Sequence, residues 1–291
     1  ICGVTGQLGS ALWDAFQNTA YEIYGTFNQT APLHSDTARI FKLDVRDSTQ
    51  VQLLLQKINP DIIINTTSLT HVDKCELQQK EAENINVVGN RNLLQSMHKH
   101  TLFVYISTYY VFDGTTGEYS ESDLPNPINY YGKTKFLAEQ DCSQYGNSLI
   151  VRTSKIFSLG RDPRNFLARL TESLRQNQEI LQAEDQYTNP LLFEDLARII
   201  KELVDKKATG IYHTGSLDIV SNYQLAASWA EFLGLDKNLI KAITSERLSQ
   251  IAPRPKYCAL SIRKLLQSGI RPLSLPQSFE QLRNMLEKKE N

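Results

Sequence analysis

The chain has 291 residues, 41% of them hydrophobic, enough to bury a large core in one large domain or two smaller ones and too apolar for disorder. A formal net charge of -1 and a pI near 6.6 give no basic footprint for nucleic acid, so small molecules are the expected partners. No apolar run is long enough to span a bilayer and no signal-peptide pattern opens the chain, which points to a cytoplasmic protein with no membrane partner.

The opening Ile1-Cys2-Gly3 reads as the inside of a strand, with a few residues expected to precede it. A glycine series follows at once, Gly3-x-x-Gly6-x-x-Gly9, between that strand and a helical stretch from Ser10 to Asn18. In that place the glycines have separate tasks: a tight turn, backbone approach to a pyrophosphate, and close packing of helix on strand. Gln7 and Leu8 stand between the last two glycines, ahead of the helix whose N-terminus faces the anion, and all five residues are assigned to cofactor binding.

Strand and helix then alternate. Strands are expected at Glu22 to Thr26 and Arg39 to Leu43, a helix at Ser48 to Ile58, a strand at Asp61 to Ile64, a helix at Ala82 to His98 and a strand at Leu102 to Ile106. Short β-rich runs separated by helical periods, without hairpin turns, predict a doubly wound parallel α/β sheet of Rossmann type. After Phe27-Asn28-Gln29 neither an acid for a ribose 2′-hydroxyl nor an arginine for a 2′-phosphate appears, so NAD and NADP stay open. Asp44-Val45 is placed at the adenine and Thr66-Thr67-Ser68 at the nicotinamide ribose, because ligands bind outside the carboxyl ends of parallel strands.

Ser107-Thr108 follows the fifth strand at that same edge, and Tyr131-Gly-Lys-Thr-Lys135 opens the next helix. Tyrosine and lysine at i and i+4 share a helix face, so the ammonium is expected to lower the phenol's pKa by about two units at an effective dielectric of about 20. With thirteen tyrosines in the chain the spacing alone carries little weight. Beside a dinucleotide site it carries more: Thr108 can donate to a carbonyl oxygen, Tyr131 can protonate it, and Lys135 can steady the phenol and the nicotinamide ribose. The expected chemistry is hydride transfer from NADPH or NADH to a ketone.

The helix runs to about Gln144 and a strand covers Ser148 to Arg152. Beyond lie helices at about Asn165 to Gln176, Leu192 to Lys206 and Asn222 to Leu233, a β-like piece at Gly210 to His213, and prolines at 253, 255, 272 and 276 that mark irregular connections. The reading is a dinucleotide-binding region over 1–153 and a smaller, mainly substrate-binding α/β region over 154–291, partly interleaved with the first. Cys2, Cys75, Cys142 and Cys258 lie far apart and read as reduced thiols. His98 and His100 are expected to point to different sides of a helix, so no metal site is assigned.

Gly3-Val-Thr-Gly-Gln-Leu-Gly9, Val72-Asp-Lys74, Ser107-Thr-Tyr-Tyr-Val-Phe-Asp-Gly114, Pro125-x-Pro127, Asn129-Tyr-Tyr-Gly-Lys-Thr-Lys135, Arg152-Thr-Ser154 and Arg254-Pro255 stand in an order that resembles the dTDP-4-dehydrorhamnose reductase family, over nearly the whole chain. That family belongs to the extended short-chain dehydrogenase/reductase superfamily. The resemblance implies reduction of the C4 ketone of a dTDP-linked 4-keto-6-deoxysugar to give dTDP-L-rhamnose, with Thr108, Tyr131 and Lys135 as the catalytic set. It implies Asn86 as a support beneath the site, and Val72, Thr108, Arg152, Gln186 and Arg254 as substrate-pocket residues, Arg254 suiting a diphosphate by its fork of donors. Its partner is a nucleotide sugar, and a homodimer is compatible with it.

Two departures stand out. Tyr109 occupies the place of the family's aspartate, and Asp185-Gln-Tyr-Thr-Asn-Pro190 lacks the family's Gly-x-Pro-Thr ending. The regulatory β subunit of methionine adenosyltransferase is similar to the same family and keeps such a tyrosine and lysine, so a dinucleotide-binding subunit without turnover is the alternative. A dehydratase would need an Asp-Glu pair where Tyr109-Tyr110 stand, and ranks last.

Overall fold

A computed structural model describes residues 1–31, 38–159 and 165–290, with side chains to residue 285. Helix α1 (Gln7–Phe16) follows the glycine turn, then β1 (Gly25–Phe27), β2 (Ile40–Lys42), α2 (Ser48–Ile58) and β3 (Ile62–Asn65). Next come α3 (Val72–Leu77), α4 (Gln79–Glu83), a π-turn over Asn84–Val88, α5 (Gly89–Ser96), β4 (Leu102–Thr108), a single 3-10 turn over Tyr109–Val111, α6 (Tyr130–Tyr145) and β5 (Ser148–Thr153). The later chain adds β6 (Ile156–Phe157), α7 (Phe166–Arg175), β7 (Ile180–Ala183), β8 (Tyr187–Thr188), β9 (Leu191–Leu192), α8 (Phe193–Asp205) and β10 (Gly210–Thr214). It ends with β11 (Val220–Ser221), α9 (Asn222–Phe232), β12 (Ile240–Ile243), α10 (Arg263–Gln267) and α11 (Leu275–Glu290).

The doubly wound sheet is present, and all its pairings are parallel. β2 pairs β1, and β3, β4, β5 and β10 follow one another. Cys2 bridges Thr26 on one side and Asn65 on the other, so the opening segment lies between β1 and β3 and joins the two runs. Just after Cys2 the chain turns away from the sheet at Gly3, whose φ is +88°.

Alternate residues of β4 feed opposite faces, as the two-residue strand period requires. Val104 and Ile106 pack with Leu8, Leu12 and Phe16 of α1 and with Leu196 to Val204 of α8. Phe103 and Tyr105 pack with Val51 and Leu55 of α2, Leu93 and Leu94 of α5, and Ala138 and Cys142 of α6. A further core lies in the later chain, where Trp229, Phe279 and Leu282 meet Phe157, Leu170 and Leu192, and Trp229 donates to the Thr171 hydroxyl at 2.9 Å.

Several local expectations are corrected. The helix expected from Ala82 to His98 is broken by the π-turn and stops at Ser96, where Met97 goes extended (φ -89°, ψ 162°). His98 and His100 therefore lie outside any helix, and their rings stack with centroids 5.6 Å apart instead of pointing to different sides. Near the C-terminus Pro276 sits in the first turn of α11, where a missing N–H costs no helical hydrogen bond. All four cysteines are free and buried. No described helix is long and apolar enough to cross a membrane.

Candidate active site

The carboxyl ends of the opening segment, β3, β4 and β5 converge on one edge. At the first of these, a Cβ on Gly3 would lie 2.8 Å from Thr66 Oγ1, and one on Gly9 would lie 2.0 Å from the Gly3 carbonyl oxygen. Neither position has room for a side chain. Gly6 is exposed, a Cβ there would meet nothing nearer than 3.4 Å, and as N-cap of α1 it offers no side chain to the first-turn amides. Those amides are the anion-binding end of the helix. This cradle fits the pyrophosphate of a dinucleotide. Leu8 is in the core, so what it can offer a ligand is its backbone amide; Gln7 is half-buried beside it.

Around the cradle, Asp44 is locked to Arg46 through paired contacts, Nε to Oδ1 at 2.9 Å and Nη2 to Oδ2 at 2.6 Å. Hydrogen bonding from Arg46 holds the Asp44 carboxyl below its ordinary range. Val45 turns its side chain into the core under Gly89. Thr66 donates to the Cys2 carbonyl at 2.7 Å, Thr67 to Asn65 Oδ1 at 2.5 Å, and Ser68 to Asn86 Oδ1 at 3.0 Å, so all three hydroxyls also brace the β3 turn.

Asn86 ties this turn to α6. Its Oδ1 accepts from the Leu69 amide at 2.8 Å, and its Nδ2 donates to Thr134 Oγ1 at 2.9 Å; Thr134 in turn donates to the Tyr131 carbonyl at 2.8 Å. The π-turn presents this buried side chain, in keeping with the frequency of such bulges at functional sites.

Tyr131, Lys135 and Glu139 lie at i, i+4 and i+8 along α6, over the end of β4. Burial, reinforced by Cys75 and Tyr110, pushes the Tyr131 phenol up, and a hydrogen bond with Thr108 pulls it partly back. Burial lowers Lys135 to about 8, with Glu139 opposing the change. Its Nζ stands 4.3 Å from the centroid of the Tyr105 ring. The expected lowering of the phenol by the ammonium is thus corrected: desolvation dominates both groups, and it acts on the lysine in the direction opposite to a stabilised charge.

Thr108 faces Tyr131, whereas Ser107 donates to Glu139. Arg152, read as a pocket residue from the resemblance, has its guanidinium buried, paired with Glu139 (Nη2 to Oε2 2.7 Å, Nε to Oε1 3.0 Å), and flanked by His213 and the Phe112 ring. Glu139, which sequence reasoning missed, was detectable as the next i+4 step after Lys135.

Val72 packs with Cys75, Ala82, Ala252 and Tyr131, which sets it in one cluster with that tyrosine. Arg254 lies close by: Nη2 contacts Asp73 at 2.8 Å and Nη1 donates to the Ala252 carbonyl at 2.6 Å; burial pushes the Tyr109 and Tyr110 phenols up, and the Arg254 charge opposes that only in part. Gln186 stands further along, accepting from Asn222 at 2.9 Å and donating to Gln250 at 3.4 Å. The Tyr109 ring stacks at a tilt on Tyr110 (4.3 Å) and packs toward Val111, Cys258 and Leu260, while Tyr110 meets Tyr131 edge-on at 5.7 Å. Gly132 permits this arrangement, since a Cβ there would lie 2.1 Å from the Tyr110 carbonyl oxygen.

A glycine-lined dinucleotide cradle, with a threonine, tyrosine and lysine across the same sheet edge, defines a Rossmann-fold protein of the short-chain reductase class. A family profile described as "RmlD substrate binding domain" matches residues 1–290, and the chain belongs to that family. It is 31% identical to the spore coat polysaccharide biosynthesis protein SpsK of Bacillus subtilis, over 94% of this chain and 92% of that one. It is 30% identical to dTDP-4-dehydrorhamnose reductase of Aggregatibacter actinomycetemcomitans over 97% of each chain, and 27% identical to methionine adenosyltransferase 2 subunit beta of Xenopus laevis over 93% of this chain and 82% of that one. Among solved structures it is similar to a dTDP-4-dehydrorhamnose reductase from Clostridium acetobutylicum (TM-score 0.87, 28% identity, 98% of each chain). It is also similar to dTDP-4-dehydrorhamnose reductase from Bacillus anthracis in complex with NADP (TM-score 0.84, 28% identity, 98% of this chain and 97% of that one).

Proposed function

We propose that this protein is an NAD(P)H-dependent sugar-nucleotide reductase that reduces the C4 ketone of dTDP-4-dehydrorhamnose to dTDP-L-rhamnose. The observation that carries the reading is Tyr131, buried beside the end of β4 that carries Thr108, its phenol kept protonated by burial, and one helical turn before Lys135. Relatives and solved structures that bear the dehydrorhamnose reductase name at 28–30% identity support it.

Residues 1–153 hold the dinucleotide and residues 154–291 mainly the substrate. Gly3, Gly6 and Gly9, with the amides of Gln7 and Leu8, hold the pyrophosphate; Asp44 and Val45 flank the adenine, and Thr66, Thr67 and Ser68 the nicotinamide ribose. When bound, the reduced nicotinamide supplies a hydride to the ketone carbon. Thr108 donates a hydrogen bond to the ketone oxygen and Tyr131 gives it a proton, so the negative charge arising there is never left bare. Lys135, charged below about pH 8, stabilises the phenolate that remains. Val72 and Arg254 frame the sugar nucleotide beside Tyr131, and Gln186 extends the pocket.

Purified protein given NADPH and a dTDP-linked 4-keto-6-deoxysugar is expected to consume nicotinamide absorbance and yield the 4-hydroxy sugar. Absence of turnover across a panel of such sugars, with the cofactor bound, would sink the reading. The Xenopus relative supports one competing role, a regulatory subunit, which a stable complex with a methionine adenosyltransferase catalytic chain and no reductase activity would favour.

A further inference from the structure

Two residues beyond Thr153, which pairs in register with Thr108, the chain leaves β5 and places Lys155 at the edge where parallel sheets bind ligands. Lys155 Nζ donates to Asn222 Oδ1 at 2.7 Å and stands 4.1 Å from the centroid of the Phe166 ring. The residue keeps part of its surface, yet burial of its head, with Arg169 as a like charge, lowers its pKa to about 8. Among the described residues no ion pair neutralises it. From α7 it faces Arg169 and the neutral Phe166 ring, from α9 the neutral Asn222, and from β9 the Leu191 amide, which donates to its carbonyl at 2.8 Å. Asn222 opens α9, so the ammonium also stands at the positive end of that helix.

A desolvated ammonium with like charge around it and, among the described residues, no carboxylate beside it is electrostatically incomplete. Its surroundings are nonetheless organised. Asn222 Nδ2 donates to Gln186 Oε1 at 2.9 Å, and Gln186 Nε2 donates to Gln250 Oε1 at 3.4 Å, in the segment that carries Arg254. Arg254 already has Asp73 at 2.8 Å, whereas among the described residues Lys155 has no counter-charge.

We propose that Lys155 supplies the counter-charge for the diphosphate of the nucleotide-sugar substrate, with Asn222 aiming the ammonium and Gln186 holding Asn222. The inference rests on the sugar-nucleotide reading, in which the diphosphate is the substrate's anionic group. Only the ammonium form binds it, so affinity falls as pH rises through about 8 and binding above that pH takes up a proton.

Calorimetric titration of the NADPH-loaded protein with dTDP-L-rhamnose and with thymidine, between pH 7 and 9.5, tests this. Wild-type affinity for the nucleotide sugar is expected to weaken toward tenfold per pH unit at the alkaline end. Lys155→Met should lose about tenfold or more at pH 7 and become insensitive to pH, while Lys155→Arg keeps affinity with a flat profile because its guanidinium stays charged. Thymidine binding should not distinguish the variants. A pH slope retained in Lys155→Arg, unchanged affinity in Lys155→Met, or equal losses for thymidine and the nucleotide sugar would overturn the proposal. If wild-type protein holds NADPH but binds no dTDP compound at any pH, the sugar-nucleotide reading falls with it.

Discussion

Tyr131 and Lys135 stand one turn apart on α6, and what the pair can do is set by burial more than by their mutual attraction. The spacing was legible in the sequence; the sign of the pKa changes was not, because proximity can be read from i and i+4 whereas the loss of water around both groups cannot. Lys135 is fully charged well below its lowered pKa of about 8 and loses its proton as pH rises through that value. If the phenolate needs that charge, kcat/KM is expected to fall above about pH 8, and Lys135→Met should give a lower, flatter profile in steady-state assays. A wild-type profile level to pH 9.5 would contradict the role. Glu139 and Arg152 make a different case. Their pairing joins α6 to the next strand, β5, across 13 residues, and neither the helical spacing nor the family resemblance, which reads Arg152 as a pocket residue, shows it. Glu139→Gln leaves a buried guanidinium uncompensated and should cost about 3–5 kcal/mol in denaturant unfolding, more than a surface ion pair would.

The elements of the sheet were legible because their apolar runs are bounded by turn residues, and the glycine turn because it falls between strand and helix. Less could be read between β3 and β4. The π-turn over Asn84–Val88 leaves helical periodicity nearly intact, so the sequence reads as one helix although Asn86 is presented by a local change of winding. Asn86→Ala removes an acceptor shared by Ser68 and the Leu69 amide together with the donor to Thr134, within one buried network. Its expected effect is a loss of stability of about 1–3 kcal/mol with reduced turnover, measurable by thermal unfolding and assay together. Gly9→Ala is a sharper test of the cradle, since its Cβ would enter the space of the Gly3 carbonyl. Fluorescence titration with NADPH should show binding lost or weakened at least about tenfold, as a displaced helix N-terminus no longer meets the pyrophosphate.

At the scale of the whole molecule, the later chain returns to the first sheet: β10 pairs with β5, and α8 packs with α1 over one sheet face. This entanglement explains why the alternating pattern foretold a doubly wound sheet but not the short strand pairs β6 with β9, β8 with β11 and β7 with β12, whose two to four residues carry little periodicity. In the proposed function, the same arrangement lets Gln186, Lys155 and Arg254 serve the substrate of Thr108 and Tyr131. The most direct test of that shared site is turnover of dTDP-4-dehydrorhamnose by wild type and by Tyr131→Phe, each saturated with NADPH and followed by nicotinamide absorbance. Wild type should reduce the ketone and the phenylalanine variant should be slower by about 10²–10⁴-fold with cofactor affinity preserved. Equal rates in the two proteins would contradict Tyr131 as the proton donor.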